Sequence, residues 1–225
     1  NEEAVISHTI HTLVNLPYLD NILVVDDGSE DNTAYLAALA GANVLSLPKN
    51  KGKAYAMKIG YEAMDSQILV FLDADITEGA DQIINLIEPI CERKAEAVIA
   101  RFPVTGKGGF GLVRALSRNG LYYITGKTLS SVLSGQRAIL RNAIKECFFD
   151  YQGFGIEFGF TADMMLHNIK IMEVDVTMQH RATGRDLRGF IHRFHQFIDI
   201  LRVIMKKTKE KAFPKKIPAV PKEQD

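Results

Sequence analysis

Short apolar runs alternate with longer mixed stretches through the first hundred residues of the chain. Runs of four or five residues that are rich in Val, Ile and Leu are typical of buried strands. They predict strands at 22–25, 44–47, 68–72 and 97–100. The intervening stretches predict helices at 2–14, 53–64 and 82–91, and one that Ser29 or Asp31 caps and that ends at 39 before Gly41.

This alternation of strands and helices predicts an α/β fold with a mostly parallel, doubly wound sheet. After about residue 103 the pattern loosens into glycine-rich and aromatic stretches, before a further strand at 171–178. We therefore divide the chain into a main domain at 1–185 and a C-terminal segment at 186–225.

The C-terminal segment begins with a helix that has apolar residues at every third or fourth position and basic residues elsewhere. The apolar positions are Leu187, Phe190, Ile191, Phe194, Phe197, Ile198, Leu201, Ile204 and Met205. Such a helix packs on its own domain or on a second subunit, as in a homodimer, or it lies on an anionic membrane surface. We expect packing from 187 to about 198, contact with a membrane or a partner beyond that point, and then a frayed tail.

Composition limits the classes of function. With 225 residues, 47% of them hydrophobic, the chain can bury one good-sized core. Its 27 basic and 27 acidic residues give zero net charge, which argues against a nucleic-acid partner. The two cysteines, Cys91 and Cys147, lack metal-site spacing and favour a reducing compartment. No apolar run approaches the ~20 residues that span a bilayer, so we expect a cytoplasmic protein with at most peripheral membrane contact.

Two carboxylates, Asp73 and Asp75, directly follow the predicted strand at 68–72. Ligands of open α/β sheets bind just beyond the carboxyl ends of the strands, and residues i and i+2 leaving a strand can point the same way. Two hard oxygen ligands there suit a divalent cation that shares its coordination with substrate phosphates. The alternative is a surface turn, where Asp is common.

Three more residues are candidates for chemistry. Asp26, at the end of the strand 22–25, could accept a proton of a uracil imide, or could cap the turn that follows. Lys53 could reach a base or a phosphate, or could be a solvated surface charge. Glu157 stands in the apolar stretch 154–160, where a carboxylate must be paired, raised in pKa or turned to a cleft. Such a residue suits a general base or holds the local turn.

Several segments, taken in order, resemble family 2 glycosyltransferases. The matching segments are N-E-E at 1–3, V-V-D-D-G-S-E-D-N-T at 24–33, N-K-G-K-A at 50–54 and D-A-D at 73–75. The segment S-G-Q-R-A at 134–138 is similar to polyprenyl-phosphate sugar transferases. The segment G-F-G-I-E at 153–157 resembles those enzymes and the glucosyl-3-phosphoglycerate synthases. The resemblance extends over roughly residues 1–185.

The resemblance implies a GT-A (Rossmann-like) fold, with a mostly parallel mixed sheet flanked by helices and a C-terminal amphipathic helix. The chain begins inside the opening motif, so we expect that a first, central strand precedes it in a longer natural chain. The implied activity is transfer of a sugar from a nucleotide sugar, with UDP as the expected nucleotide and Mn²⁺ or Mg²⁺ as the cofactor.

The resemblance also assigns roles to residues. The nucleotide contacts are Glu2, Asp26, Lys53, Asp73 and Ala74, and the metal ligands are Asp73, Asp75 and His180. The acceptor contacts are Ser134, Gly135, Gln136 and Arg137, and the catalytic residues are Glu157 as base and Arg101 near the acceptor or phosphate. Arg137 or Arg101 would hold an anionic group of the acceptor, while Arg181 and Arg185 would contact phosphate.

The expected acceptor is phosphorylated, with a lipid phosphate delivered at a membrane favoured by the basic, apolar C-terminal helix. One alternative is a soluble transferase of the glucosyl-phosphoglycerate type. Others are a nucleotidyltransferase and a catalytically silent GT-A-like binding module. The sequence leaves open the sugar and whether the reaction inverts or retains the anomeric configuration.

Overall fold

The computed structural model describes residues 1–103, 111–180 and 187–212, with the side chains of 146, 147, 180, 187–192 and 212 left aside. The strands are β1 (Leu23–Asp26), β2 (Asn43–Ser46), β3 (Ile68–Phe71), β4 (Ile76–Glu78), β5 (Ala97–Arg101), β6 (Arg137–Leu140), β7 (Ile171–Asp175) and β8 (Gln179–His180). The α-helices are α1 (Ile6–Val14), α2 (Thr33–Leu39), α3 (Lys53–Ala63), α4 (Ile84–Cys91), α5 (Leu112–Thr125), α6 (Gly155–Leu166) and α7 (Leu187–Ala212).

The predicted strands of the first hundred residues correspond to β1, β2, β3 and β5, and each bound is shifted by at most one residue. The prediction omitted α5, α6 and the strands β4, β6 and β8. Strands β4 and β8 are only three and two residues long, too short for a period to show. The strand predicted at 171–178 is wrong in its second half. β7 ends at Asp175, and the buried side chains of Val176 and Met178 pack into the core before β8 begins.

The four-stranded sheet is mixed, and β6, its one strand that was not predicted, shapes the site. Within the four-stranded sheet the order is β3-β6-β5-β7, with β6 antiparallel to both neighbours and β5 parallel to β7. Since Arg137 at the start of β6 is opposite Phe71 at the end of β3, the loop before β6 lies beside Asp73. β1 and β2 form a separate parallel pair, and β4 and β8 a separate antiparallel pair.

Alternate residues of β5 point into two different clusters of the core, as the period of a strand requires. Ala97 and Ile99 pack with aromatic side chains of α6, whereas Val98 and Ala100 pack with α4. Full burial of each large apolar side chain contributes about 1.5–3 kcal/mol relative to exposure. The four-stranded sheet is therefore covered on both faces, as an α/β fold predicts.

Helix α7 packs on α5 and α6, and this packing continues past residue 198. Ile200 and Val203 are buried, and Gly120 of α5 has no room for a side chain because Ile204 lies against it. The expectation of membrane or partner contact beyond 198 is therefore wrong for these three apolar residues of α7. In the described part of the chain, no helix combines the length and the apolar character that crossing a bilayer requires.

Candidate active site

Asp73 follows β3 and is held from two sides. Its Oδ1 accepts a hydrogen bond from Lys53 Nζ at 2.5 Å, and its Oδ2 accepts one from Gln136 Nε2 at 2.8 Å. Gln136 is almost fully buried, so its amide is fixed by its surroundings. The side-chain geometry thus unites the D-A-D segment, the loop before β6 and the start of α3.

Gly135 stands where these groups meet. A Cβ atom added there would lie 2.5 Å from Asp73 Oδ2 and 2.9 Å from Lys53 Nζ. Real Cβ atoms do not approach other atoms so closely. A side chain at this position would therefore have to displace Asp73 or Lys53, so the glycine keeps both groups against the loop backbone.

Lys53 bridges two carboxylates. Its ammonium lies 2.5 Å from Asp73 Oδ1 and 2.8 Å from Glu157 Oε1. Burial lowers the pKa of Lys53, but the charges of Glu157 and Asp73 outweigh burial, and the pKa lies above its ordinary value. Lys53 is therefore a firm positive charge at neutral pH.

Asp27 positions the backbone that leads to Lys53. Its two carboxylate oxygens accept hydrogen bonds from the N–H groups of Lys51 and Gly52, each at 2.7 Å. Residues 51 and 52 immediately precede α3, whose first residue is Lys53. Asp27 belongs to the V-V-D-D-G-S segment, but neither the pattern nor the resemblance predicted a role for it. Its position next to Asp26 was the only available signal.

Glu157 lies in the first turn of α6, where the helix dipole favours a negative charge. Its side chain is 13% exposed and its carboxylate faces Lys53. Glu157 is absent from the walls of both cavities described below. The role as a general base stays a prediction, and the contact that the structure shows is with Lys53.

Arg137 and Arg101 are both paired with groups of the protein itself. Arg137 is 1% exposed, donates a hydrogen bond to the carbonyl of Ser134 and stacks on Phe160 at 5.1 Å from the ring centroid. Burial lowers the pKa of Arg137 to about 10, against the opposing effect of Glu157 and Asp73. The guanidinium therefore stays charged at neutral pH. It supports the loop before β6 through its hydrogen bond with the carbonyl of Ser134.

Arg101 forms a two-pronged ion pair with Asp175 at the neighbouring strand ends, at 2.5 and 2.7 Å. Neither Arg101 nor Arg137 is part of the walls of the two cavities described next. Direct acceptor contact by either arginine would need a rearrangement of these pairings.

Two cavities meet at the D-A-D segment. The larger, of about 780 Å³, includes Asp73 in its wall, and the smaller, of about 220 Å³, includes Ala74. The smaller cavity is also lined by Asn1, Glu2, Val24, Val25, Asp26, Asp27, Gly28, Ser29, Thr33 and Asn50. Three of the five predicted nucleotide contacts, namely Glu2, Asp26 and Ala74, thus share this one wall.

The turn after β1 closes one side of the smaller cavity. Gly28 has φ +74, and a Cβ there would lie 2.7 Å from the backbone N of Asn50, so only glycine fits. The buried Asp26 accepts a hydrogen bond from Ser29 N at 3.2 Å. Asp26 therefore caps its own turn while it lines the cavity, and its two predicted roles are compatible.

The larger cavity is lined by Ser134, Gly135 and Gln136 as well as by residues that the sequence analysis missed. These are Phe102, Pro103, Arg114, Ser117, Ser130, Ser131, Val132, Leu133, Thr177, Met178 and Gln179. Arg114 is exposed, and no described side chain pairs with it. It went unnoticed because α5, which carries it, was not predicted. An exposed guanidinium in a cavity wall is suited to bind an anion.

The backbone of His180, one of the three predicted metal ligands, lies close to the other two in the fold. Ile76, which follows Asp75, pairs with His180 across the β4–β8 ladder, so the His180 backbone is next to the D-A-D segment. The side chain of His180, and Arg181 and Arg185 altogether, lie outside the described residues. Among the described side chains, no three His, Cys, Asp or Glu residues form a metal-binding group. Two carboxylates beside a histidine are nevertheless a donor set that Mn²⁺ and Mg²⁺ accept.

Comparison with known proteins gives consistent relatives. Residues 1–148 match the family described as "Glycosyl transferase family 2". Glycosyltransferase AglJ of Haloferax volcanii is 29% identical over 174 residues, which are 74% of this chain and 56% of the relative. The UDP-N-acetylglucosamine–dolichyl-phosphate N-acetylglucosaminyltransferase of Methanococcus voltae is 30% identical over 177 residues, which are 64% of this chain and 68% of the relative. The chain thus spans little more than half the length of AglJ.

A solved structure supports the fold. Glucosyl-3-phosphoglycerate synthase from Mycobacterium tuberculosis, in complex with Mn²⁺, UDP-glucose and phosphoglyceric acid, matches with a TM-score of 0.71 and 26% identity. The match covers 91% of this chain and 77% of the synthase. The predicted α/β fold of the GT-A type is therefore confirmed.

Proposed function

Because the chain belongs to glycosyl transferase family 2, we propose that it carries the catalytic domain of a UDP-sugar-dependent transferase with a phosphorylated acceptor. Family membership sets aside the nucleotidyltransferase considered from sequence. One observation supports the proposal most. The D-A-D segment separates a small cavity with Glu2 and Asp26 from a large cavity with an exposed arginine.

In this proposal the small cavity holds the uridine part of the donor. Asp26 accepts a hydrogen bond from the imide N–H of uracil, and Glu2 and Ala74 line the same pocket. Lys53, which carries a positive charge at neutral pH, contacts Asp73 of the D-A-D segment, where the diphosphate would lie in this proposal. A positive charge near the diphosphate favours its departure, since it stabilises the charge that develops on the leaving group.

Asp73, Asp75 and His180 would hold the divalent cation. When bound, Mn²⁺ or Mg²⁺ supplies positive charge that offsets the charge of the leaving diphosphate. Asp73 already takes part in bonds with Lys53 and Gln136, which orient its carboxylate before any ligand arrives.

We assign the larger cavity to the acceptor and propose a lipid phosphate as that acceptor. Arg114 provides the cation for its phosphate, with Ser117 and Ser134 in the same wall. A phosphate oxygen is already ionised at neutral pH, so an attack by phosphate needs no general base. This fits the arrangement of Glu157, whose carboxylate is paired with Lys53.

In the proposed transfer, one bond to the anomeric carbon breaks and one forms. The bond between the anomeric carbon and the β-phosphate oxygen of the donor breaks, and UDP departs with the electron pair. A phosphate oxygen of the acceptor forms the new bond to the anomeric carbon. The products are UDP and a sugar phosphodiester.

A second candidate is transfer to a hydroxyl of a soluble phosphorylated acceptor such as phosphoglycerate. The structural match to the glucosyl-3-phosphoglycerate synthase favours it. A hydroxyl needs a base, and Glu157 would then have to separate from Lys53. Arg114 would serve this acceptor equally well.

We further propose a cytoplasmic location and peripheral contact with an anionic membrane. Large apolar side chains are exposed on α5 and α7, at Tyr122, Tyr123, Phe194 and Met205. Basic residues lie near them on α7, including Lys206 and Lys209. Apolar side chains beside basic ones are typical of a surface that binds anionic lipid.

Nucleotide binding tests the donor assignment. UDP with Mn²⁺ should raise the thermal midpoint, because a ligand that binds only the folded state adds about 2.7 kcal/mol at one hundred times its Kd. Asp75→Ala should abolish the Mn²⁺-dependent part of this shift without changing the midpoint of the free protein. The matched control is Asp81→Ala, an exposed carboxylate nearby in sequence, which should respond like the unmodified chain.

The alternatives give distinct results in the same assay. Stabilisation by GDP but not by UDP would overturn the choice of base and leave the fold untouched. No response to any nucleotide would favour a silent binding module. Product analysis with radiolabelled UDP-sugars, polyprenyl phosphate and phosphoglycerate then separates the two acceptor classes.

A further inference from the structure

Helix α6, which carries Glu157, begins without a capping side chain of its own. Its N-cap residue is Phe154, whose side chain cannot accept the hydrogen bond that a capping residue usually accepts. The first N–H groups of any helix need acceptors from elsewhere. Here Oδ2 of Asp199, a residue of α7, accepts a hydrogen bond from Phe154 N at 3.2 Å.

The carboxylate of Asp199 is seated closely against the turn before α6. Gly153 has φ +53, and a Cβ there would overlap Asp199 Oδ2. The Asp199 side chain is only 16% exposed and pairs with the outer residue Arg202 at 3.0 Å. A negative charge at the N-terminus of α6 is also favoured by the helix dipole.

Two more contacts join α7 to α6, one at its first residue and one about two turns later. A Cβ on Gly155, the first residue of α6, would lie 2.8 Å from Val203 Cγ2. Further along, Lys207 Nζ pairs with the buried Asp163 at 2.5 Å. Helix α7 therefore fixes both the beginning of α6 and a point two turns later, and Glu157 lies between them.

We propose that Asp199 is a positioning residue for Glu157 and, through Glu157, for Lys53, whose ammonium contacts both Glu157 and Asp73. The inference rests on the proposed function, because it concerns the charge that this site presents to the donor. It gives α7 a part in the active site, although α7 lies outside the residues 1–148 that match the family.

A double-mutant cycle tests the proposal. Asp199→Ala should lower kcat/KM for sugar transfer about tenfold, since small displacements of positioned groups cost up to about a hundredfold. Glu157→Gln should be impaired in its own right. Because Asp199 acts through Glu157, the double variant should be no worse than Glu157→Gln alone.

Arg202→Gln is the matched control, since it removes the outer ion pair of Asp199 and leaves the cap intact. It should stay within about twofold of the unmodified chain in kcat/KM, as expected for an exposed ion pair. Multiplicative losses in the double variant, or full activity in Asp199→Ala, would overturn the proposal. If Asp199→Ala does not fold, Asp199→Glu, which displaces the carboxylate against Gly153, replaces it in the cycle.

Hydrogen exchange separates this inference from the proposed function. The amide of Phe154 should exchange faster in the Asp199 variant and at the native rate in Arg202→Gln. This measurement needs no substrate, so it tests the cap even if the chain transfers no sugar. Unchanged exchange at Phe154 would refute the positioning role, whereas inactivity of the unmodified chain would refute the proposed function alone.

Discussion

At the scale of residues, the contacts of Asp73 depend on a few side-chain atoms and on one missing side chain. Asp73 is oriented by Lys53 and Gln136, and the absence of a side chain at Gly135 allows all three groups to meet. The glycine therefore contributes to activity by the space that it leaves. A substitution there should separate activity from stability.

Gly135→Ala is expected to lower transfer activity about a hundredfold, because the added methyl must displace Asp73 or Lys53. Thermal unfolding should change little, since both displaced groups are partly exposed and can move. Steady-state kinetics and a thermal melt of the same preparation measure the two effects.

Gly126→Ala is the control, and it should lower stability while it leaves activity unchanged. Gly126 ends α5 with φ +71 and has open space around its Cβ position, so alanine there costs backbone strain alone. The expected loss is about 1–2 kcal/mol of stability with full activity. Equal loss of activity in both variants would contradict the steric role of Gly135.

At the scale of elements, the antiparallel strand β6 and the helix α7 position the parts of the site. β6 brings the loop at 134–136 to Asp73, and α7 holds α6 through a buried cluster. In that cluster Asp163 accepts hydrogen bonds from Tyr151 and Lys207. Buried charges of this kind are stable only as a complete set.

Lys207→Met should destabilise the protein by about 3–5 kcal/mol, because it leaves the charge of Asp163 buried without its cation. Chemical denaturation at neutral pH measures this loss. Lys209→Met, an exposed lysine on the same helix, should change the free energy of unfolding by less than about 0.5 kcal/mol.

The same pair predicts a pH dependence. Burial lowers the pKa of Lys207, but its hydrogen bond with Asp163 and the charges of Asp163 and Glu210 raise it above the ordinary value overall. A raised pKa means that the stabilisation is complete at neutral pH and is lost as the pH rises through the folded-state pKa. The difference in stability between Lys207→Met and the unmodified chain should therefore persist at neutral pH and narrow as the solution becomes strongly alkaline. A difference that narrows on acidification to mildly acidic pH would contradict this assignment.

At the scale of the whole molecule, the question is which surface meets the acceptor. Part of the apolar face of α7 is used inside the protein, at Ile200, Val203 and Ile204. Truncation after Ile200 would expose α5 and α6 and remove Lys207, so it would confuse folding with binding. Substitutions of exposed residues are the cleaner test of membrane contact.

The pair of changes Phe194→Ser and Met205→Ser should reduce binding to anionic phospholipid vesicles about tenfold or more, because each exposed apolar side chain contributes when it is buried in lipid. Co-sedimentation with vesicles measures binding, and neutral vesicles and high salt should weaken it. Leu39→Ser, an equally exposed apolar residue on α2, should bind normally. Full activity on a soluble acceptor with no vesicle affinity would refute the lipid-phosphate proposal.

Local patterns in the sequence determined much of this protein. The apolar runs located β1, β2, β3 and β5, because burial in a sheet requires continuous apolar residues. The D-A-D segment and Asp26 were predicted at strand ends because each directly follows one of these apolar runs. Gly135 was included among the site residues through the resemblance of its segment, although the contacts that require it could not be foreseen.

Only the tertiary structure decided what these residues touch. The antiparallel direction of β6 determines that Gln136 bonds to Asp73, and the packing of α6 against α7 determines where Glu157 meets Lys53. It also buried Arg137 and placed Arg114 in the larger cavity. Such contacts join residues far apart in the chain, and the short-range periodicity of a sequence carries no information about which distant segments will pack together.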